Sequence, residues 1–76
     1  MILTTTQFEN WLRDIRAESA IMICEDVNPT LLSQFNTEFA KTYARIKQAA
    51  DAGFVYIQAD GNKWFALRHI TPKRMA

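Results

Sequence analysis

Cysteine and histidine occur once each in these 76 residues, and glycine and proline only twice each. Each scarcity removes a class of explanation. With Cys24 alone no intramolecular disulfide can form, which favours a cytoplasmic setting over a secreted, disulfide-stapled one. Cys24 lies in the apolar run Ala20-Ile21-Met22-Ile23-Cys24, and its neighbours Glu25 and Asp26 disfavour a thiolate, so it reads as an inert core residue. One cysteine and one histidine do not make a zinc site, and Asp60-Gly61-Asn62 lacks the further acidic positions and closing glutamate of a calcium loop. There is no glycine-rich phosphate loop, repeat or low-complexity tract. No apolar run approaches the roughly 18 to 20 residues of a membrane span. Met1-Ile2-Leu3-Thr4 has neither the basic start nor the long apolar stretch of a signal peptide. His69 sits in an apolar strand pattern and reads as a packed or edge residue rather than a general base. The expectation is a protein that is not an enzyme, with no cofactor, metal, membrane or small-molecule substrate.

What is present is apolar and aromatic. Hydrophobic residues make up 49% of the chain, with five Phe, two Tyr and two Trp, more than a disordered segment carries. The length fits a single domain over residues 1–76, ending in a short basic tail at 72–76. A chain this short buries only about 60% of its extended surface, so its core is marginal. The net charge of +1 hides an asymmetry: residues 1–40 carry two arginines against six carboxylates, net −4, and residues 41–76 carry seven Lys and Arg against two Asp, net +5. Such polarity either steers an anionic partner to one side or is cancelled across the fold.

Local patterns then lay out the elements. Thr6-Gln7-Phe8-Glu9 fits a capping box, and Phe8, Trp11, Leu12 and Ile15 form one helical stripe after it. The run 20–24 suits a short buried strand or a last turn of the first helix, and its β-branched isoleucines favour the strand. Asn28-Pro29 starts a second helix, with Asn as cap and Pro at the first position. Leu32, Phe35, Phe39, Tyr43, Ile46 and Ala50 keep helical spacing, which suits one helix over 29–52; Asn36 and Thr37 suit a break into two. The break is preferred because of the helix ending and hairpin beyond it. Gly53 is placed to end the helix in a left-handed conformation with Phe54 packing back on the last turn. Two alternating strands then hinge on Asp60-Gly61-Asn62.

A basic helix running through Ala52-Gly53-Phe54-Val55 into a hairpin that ends in Ile70-Thr71-Pro72 resembles the recognition helix and wing of winged helix-turn-helix proteins, most of which bind duplex DNA. The resemblance covers residues 36–72. It departs from the family pattern at Asn36-Thr37, where a small residue or Gly is usual in the tight turn, and at Ala49, where Leu is common. It implies a small α+β domain with two to three helices, a C-terminal β-hairpin and a possible third strand at 20–24.

Two functions are expected from these readings. With Phe39, Tyr43, Ile46 and Ala50 inward, Lys41, Arg45 and Gln48 lie on the opposite side of the helix, flanked by Thr42. Arg and Gln pair with purine edges in the major groove and Lys serves phosphates. The first expectation is therefore a small regulator that binds duplex DNA through Lys41, Thr42, Arg45 and Gln48, with Asn62, Lys63, Lys73 and Arg74 on the backbone. Along the hairpin, Phe54, Tyr56, Phe65 and Leu67 tend to one face, and Val55, Ile57, Trp64 and Ala66 to the other, so both faces are apolar. The second expectation uses that surplus: a protein-binding inhibitor or adaptor of the kind phage or mobile elements encode, or a homodimer, acting through Tyr56, Trp64 and Phe65.

Overall fold

The computed structural model describes residues 2–14 and 16–69. Along them run α1 (Thr5–Arg13), β1 (Ala20–Glu25), α2 (Pro29–Phe35), α3 (Thr37–Asp51), β2 (Val55–Asp60) and β3 (Lys63–Arg68). The strands form one antiparallel sheet in the order β1-β3-β2, so the last strand in sequence is the middle one in space.

α1 begins two residues before the expected capping box. Thr4 Oγ1 accepts from the Gln7 amide at 3.1 Å, and Gln7 Oε1 accepts from the Thr4 amide at 3.0 Å. Three consecutive threonines offer three possible caps, and local pattern does not rank them. The earlier start puts Glu9 in the helix interior, where it reaches α3. Phe8 and Trp11 are buried and Leu12 half-buried, as the stripe requires; Ile15 lies outside the described residues.

The middle helix is broken, and Asn36 does it. Its extended backbone (φ −124°, ψ 106°) donates to the Leu32 carbonyl at 2.9 Å, while its side chain accepts from the Phe39 amide at 3.0 Å. One residue thus closes α2 and caps α3. Asn28 caps α2 in the same way, through Thr30 N at 2.7 Å, with Pro29 at the first helical position. The break ends the apparent continuity of the apolar stripe: Phe35, in step with Phe39 by spacing, is 79% exposed. The buried seam of α3 is Phe39, Thr42, Ile46 and Ala49, with Tyr43 and Ala50 only half-buried beside it.

At the end of α3 the Gly53 amide donates to Ala50 O and the Phe54 amide to Ala49 O, each at 3.0 Å, with Gly53 at φ 86°. That is a Schellman closure with Gly at the left-handed position. The Phe54 side chain nevertheless stays 62% exposed. The hairpin closes at Asp60↔Lys63 around Gly61 and Asn62. Only Gly61 of the two has positive φ, 65°, the requirement of a type II′ turn.

Register assigns the sheet faces. Ile21, Ile57 and Ala66 share one face with Val55 and Trp64, and this face meets the helices. Between Met22↔Phe65 and Cys24↔Trp64 the ladder slips by one, leaving Ile23 as a bulge. The bulge explains how consecutive Ile23 and Cys24 are both fully buried in a strand that should alternate. Burial raises the Cys24 thiol pKa, in keeping with an inert core residue.

Arg68, at the end of β3, clasps the end of α1. Its guanidinium donates to the carbonyls of Trp11, Leu12 and Asp14 and lies 4.3 Å from the Trp11 ring centroid. A cation over the last turn meets the negative end of the helix dipole. Its Nε is buried without a hydrogen-bond partner, a cost that the Trp11 ring offsets in part.

Candidate functional site

The expected DNA-reading face of α3 is divided by the way the helix packs. Lys41 and Gln48 are exposed, as is Lys47, whose Nζ lies 5.5 Å from the Tyr43 ring centroid. Thr42 is not on that face: it is 3% exposed, its Oγ1 2.8 Å from Thr5 Oγ1 and 3.4 Å from the Glu38 carbonyl. A small hydroxyl-bearing residue fits where α1 approaches closely, and this rotates the inward face from the expected Tyr43 toward Thr42. Arg45 turns the same way. Its Nε and Nη2 donate to the two carboxylate oxygens of Glu9 at 2.6 and 3.3 Å, and its guanidinium lies 5.8 Å from the Phe8 ring centroid. The hydrogen bond from Arg45, with its charge, holds the Glu9 carboxyl below the ordinary value. An arginine of the basic half is thus matched by a glutamate of the acidic half. Of the remaining charges on the exposed side of α3, Lys41 and Lys47 are balanced in number by Glu38 and Asp51.

The hairpin tip is bound to the end of β1. Asn62 Nδ2 donates to Asp26 Oδ1 at 2.5 Å, and the Asp26 amide donates to the Asn62 carbonyl at 2.7 Å. Asp26 holds φ 69° to make this contact, a left-handed conformation that Asp tolerates better than most residues. Lys63 is flanked in register by Glu25 on one side and Asp60 on the other. The tip region thus carries three carboxylates, Glu25, Asp26 and Asp60, against one ammonium, Lys63. Lys73 and Arg74 lie outside the described residues.

The second set of expected residues is brought together more closely. Tyr56↔Leu67↔Ala20 and Gln58↔Phe65↔Met22 form adjacent rows on the sheet face away from the helices. β1 joins the sheet instead of covering it, and on this face Tyr56 and Gln58 are exposed while Met22, Phe65 and Leu67 are half-buried. Tyr56 is 40% exposed, its ring 5.0 Å from that of His69. A groove of about 240 Å³ runs over Ala20, Gln58, Asp60, Phe65 and Leu67. Trp64 is separated from Tyr56 and Phe65: it pairs with Ala59 and Cys24 on the opposite face and packs on the core. Alternation already divides Trp64 from the other two; what it does not tell is which face the helices take.

Sequence reasoning missed Glu9, Asp26 and Arg68. Each acts through a partner far along the chain, and no local spacing signals such a pair. Among the described residues no three of His, Cys, Asp and Glu come together to hold a metal, and no helix is long and apolar enough to cross a membrane. Comparison of the chain with protein-family models, curated proteins and solved structures finds no match in any of the three.

Proposed function

We propose that this chain is a small protein-binding domain of winged-helix type, of the inhibitor or adaptor class, which makes contact through the open face of its sheet. The observation that carries the reading is the apolar composition of that face. A sheet with one side in water ordinarily alternates apolar with polar residues, yet here Met22, Tyr56, Phe65 and Leu67 stand side by side on the outer face. Covering them is favourable by about 25 cal/mol per Å² of apolar surface. Tyr is also among the residue types that concentrate binding energy at protein interfaces. The winged-helix part of the reading is supported by the element order α-β-α-α-β-β and the Gly53 junction into the hairpin. Co-purification from cells producing the tagged protein tests the contact surface. A protein retained by the wild type and lost both with Tyr56→Ala, at an unchanged thermal midpoint, and with Phe65→Ser, in a variant still folded at the temperature of the assay, is the expected result. Retention by both variants overturns it.

Duplex DNA binding is the second reading, favoured by the same element order together with the exposed Lys41, Lys47 and Gln48 of α3. It has less support because Arg45 is paired with Glu9 and the hairpin tip is acidic, whereas phosphate contacts need unmatched cations. With about four to six such contacts, log K against log salt would slope at roughly −3.5 to −5.5. No duplex affinity at about 50 mM salt, where this electrostatic term is strong, removes the reading.

A further inference from the structure

We infer that the cleft at the Phe54 end of the sheet is a binding site for a carboxylate carried on an apolar body. It lies apart from the open sheet face and does not rest on the contact reading above.

Leu12, Arg45, Phe54, Arg68 and His69 line a cavity of about 420 Å³, within the roughly 300 to 1,000 Å³ of small-ligand sites. The fold brings these five together from four elements. Arg68 pairs in register with Val55, whose side chain is buried in the core, so Arg68 too stands on the helix side of the sheet, where it meets the last turn of α1. The closure of α3 at Gly53 sets Phe54 beside His69, whose amide donates to the Phe54 carbonyl at 3.3 Å. Arg45 enters from α3 and Leu12 from α1.

Both guanidiniums keep unused donors. A guanidinium carries five N–H groups. Arg45 spends two of them on Glu9, through Nε and Nη2, which leaves the parallel pair on its Nη1–Nη2 edge. Arg68 spends three on the carbonyls of Trp11, Leu12 and Asp14, and keeps a second Nη1 hydrogen besides the enclosed Nε. Among the described residues no carboxylate is paired with Arg68. Rings hold both groups in place, Phe8 at 5.8 Å from the Arg45 guanidinium and Trp11 at 4.3 Å from that of Arg68. A ligand meets donors that are already fixed, which lowers the ordering cost of binding.

Charge selects the head group and the walls select the body. Of the fixed charges, two guanidiniums against the one carboxylate of Glu9 leave a single positive charge, which one carboxylate cancels. A dianion would leave charge uncompensated beside Glu9. The planar fork of an arginine also matches two carboxylate oxygens side by side. Phe54 is 62% exposed, and with half-buried Leu12 it offers apolar surface next to the donors.

NMR titration of the full chain with naphthoate, and with neutral naphthamide as control, tests the site. The expected result is saturable shifts at the amides of Arg45, Phe54, Arg68 and His69, with a Kd of about 1 mM or tighter, the scale for so small a ligand, and at least about tenfold weaker binding of the amide, the loss of one charge-assisted contact. Glu9→Gln removes the competing carboxylate and should tighten naphthoate about fivefold. Phe54→Ser, at an exposed position, should weaken it by a similar factor. N-acetyl-Gly-Gly-Phe carries the same chemistry on a polypeptide end: tighter binding than naphthoate points to a chain terminus as the source, weaker binding to a free acid, and either order supports the site. Equal binding of naphthoate and naphthamide, no saturable shift at tenfold the expected Kd, or phenyl phosphate bound more tightly than benzoate overturns the inference. So does an affinity unmoved in both variants; the wild-type comparisons decide the matter if either variant fails to fold.

Discussion

Glu9 and Arg45, 36 residues apart, form a two-bond ion pair that ties α1 to α3. The pair uses the arginine that spacing alone would assign to a DNA-reading face, and it makes α3 a packed element on that side.

Because the folded-state pKa of Glu9 is depressed, its contribution to stability is present above the unfolded value and lost as pH falls through the folded one. Thermal unfolding of wild type and Glu9→Gln should therefore differ by a constant amount above the ordinary value of 4.5 and converge below it. Curves that stay parallel into acid would show that the pair adds nothing.

Glu9→Gln also separates the two functional readings. If Arg45 reads bases when released, the variant should bind duplex DNA more tightly than wild type, by about 5- to 150-fold for one recovered contact worth about 1 to 3 kcal/mol. The protein-binding reading expects no duplex affinity from either protein in an electrophoretic shift.

Trp64→Ala and Tyr56→Ala should part company in a denaturant titration. Trp64 packs on the core and is half-buried, so its truncation should cost about 2 to 4 kcal/mol, near the lower end of the range for large aromatics. Tyr56→Ala on the open face should cost less than about 1 kcal/mol in the monomer. Equal losses would mean that the open face is covered.

Thr42→Val keeps shape but removes the hydroxyl between Thr5 and Glu38. The expected loss is about 1 kcal/mol, the net worth of a typical buried hydrogen bond, read from the urea midpoint at constant m-value. A larger slope change would point to altered packing between α1 and α3.

Gly61→Ala probes the hairpin turn. Nothing lies within 4 Å of the Cβ that alanine would add, so only the φ of 65° opposes it. The expected cost is about 1 to 2 kcal/mol from left-handed strain alone, seen as a lower thermal midpoint with an unchanged circular dichroism spectrum.

The elements legible from the chain were those set by local chemistry. Asn28-Pro29, Gly53 and the Asp60-Gly61-Asn62 hinge each have a residue whose backbone preference dictates the event, whereas the Asn36 break competed with an unbroken helical spacing and was preferred only for the hairpin beyond it. The strand at 20–24 was legible from its β-branched residues, though the bulge that buries both Ile23 and Cys24 was not, since a slip in register depends on the neighbouring strand. Helix orientation was the weakest point. Phe35 and Tyr43 continue a spacing that the Asn36 break interrupts, and Thr42 is a polar residue buried because α1 supplies its partner. On the site, the division of hairpin residues between two faces followed from alternation. The neutralisation of Arg45 and the tethering of Asn62 depend on Glu9 and Asp26, and only the folded chain brings those carboxylates near.

The β1-β3-β2 order has a further meaning for how the molecule comes into being. Of the three strands the central one is the last synthesised, so neither β1 nor β2 has a ladder partner until residues 63–68 exist. The carbonyls that finish α1 likewise wait for Arg68. Assembly cannot proceed from the N-terminus piece by piece; it must close in one cooperative step around β3, with Ile21 and Ile23 open to water until then. A chain stopped at residue 62 is accordingly expected to be an unfolded polymer rather than a smaller domain, its far-ultraviolet spectrum lacking any sheet signal.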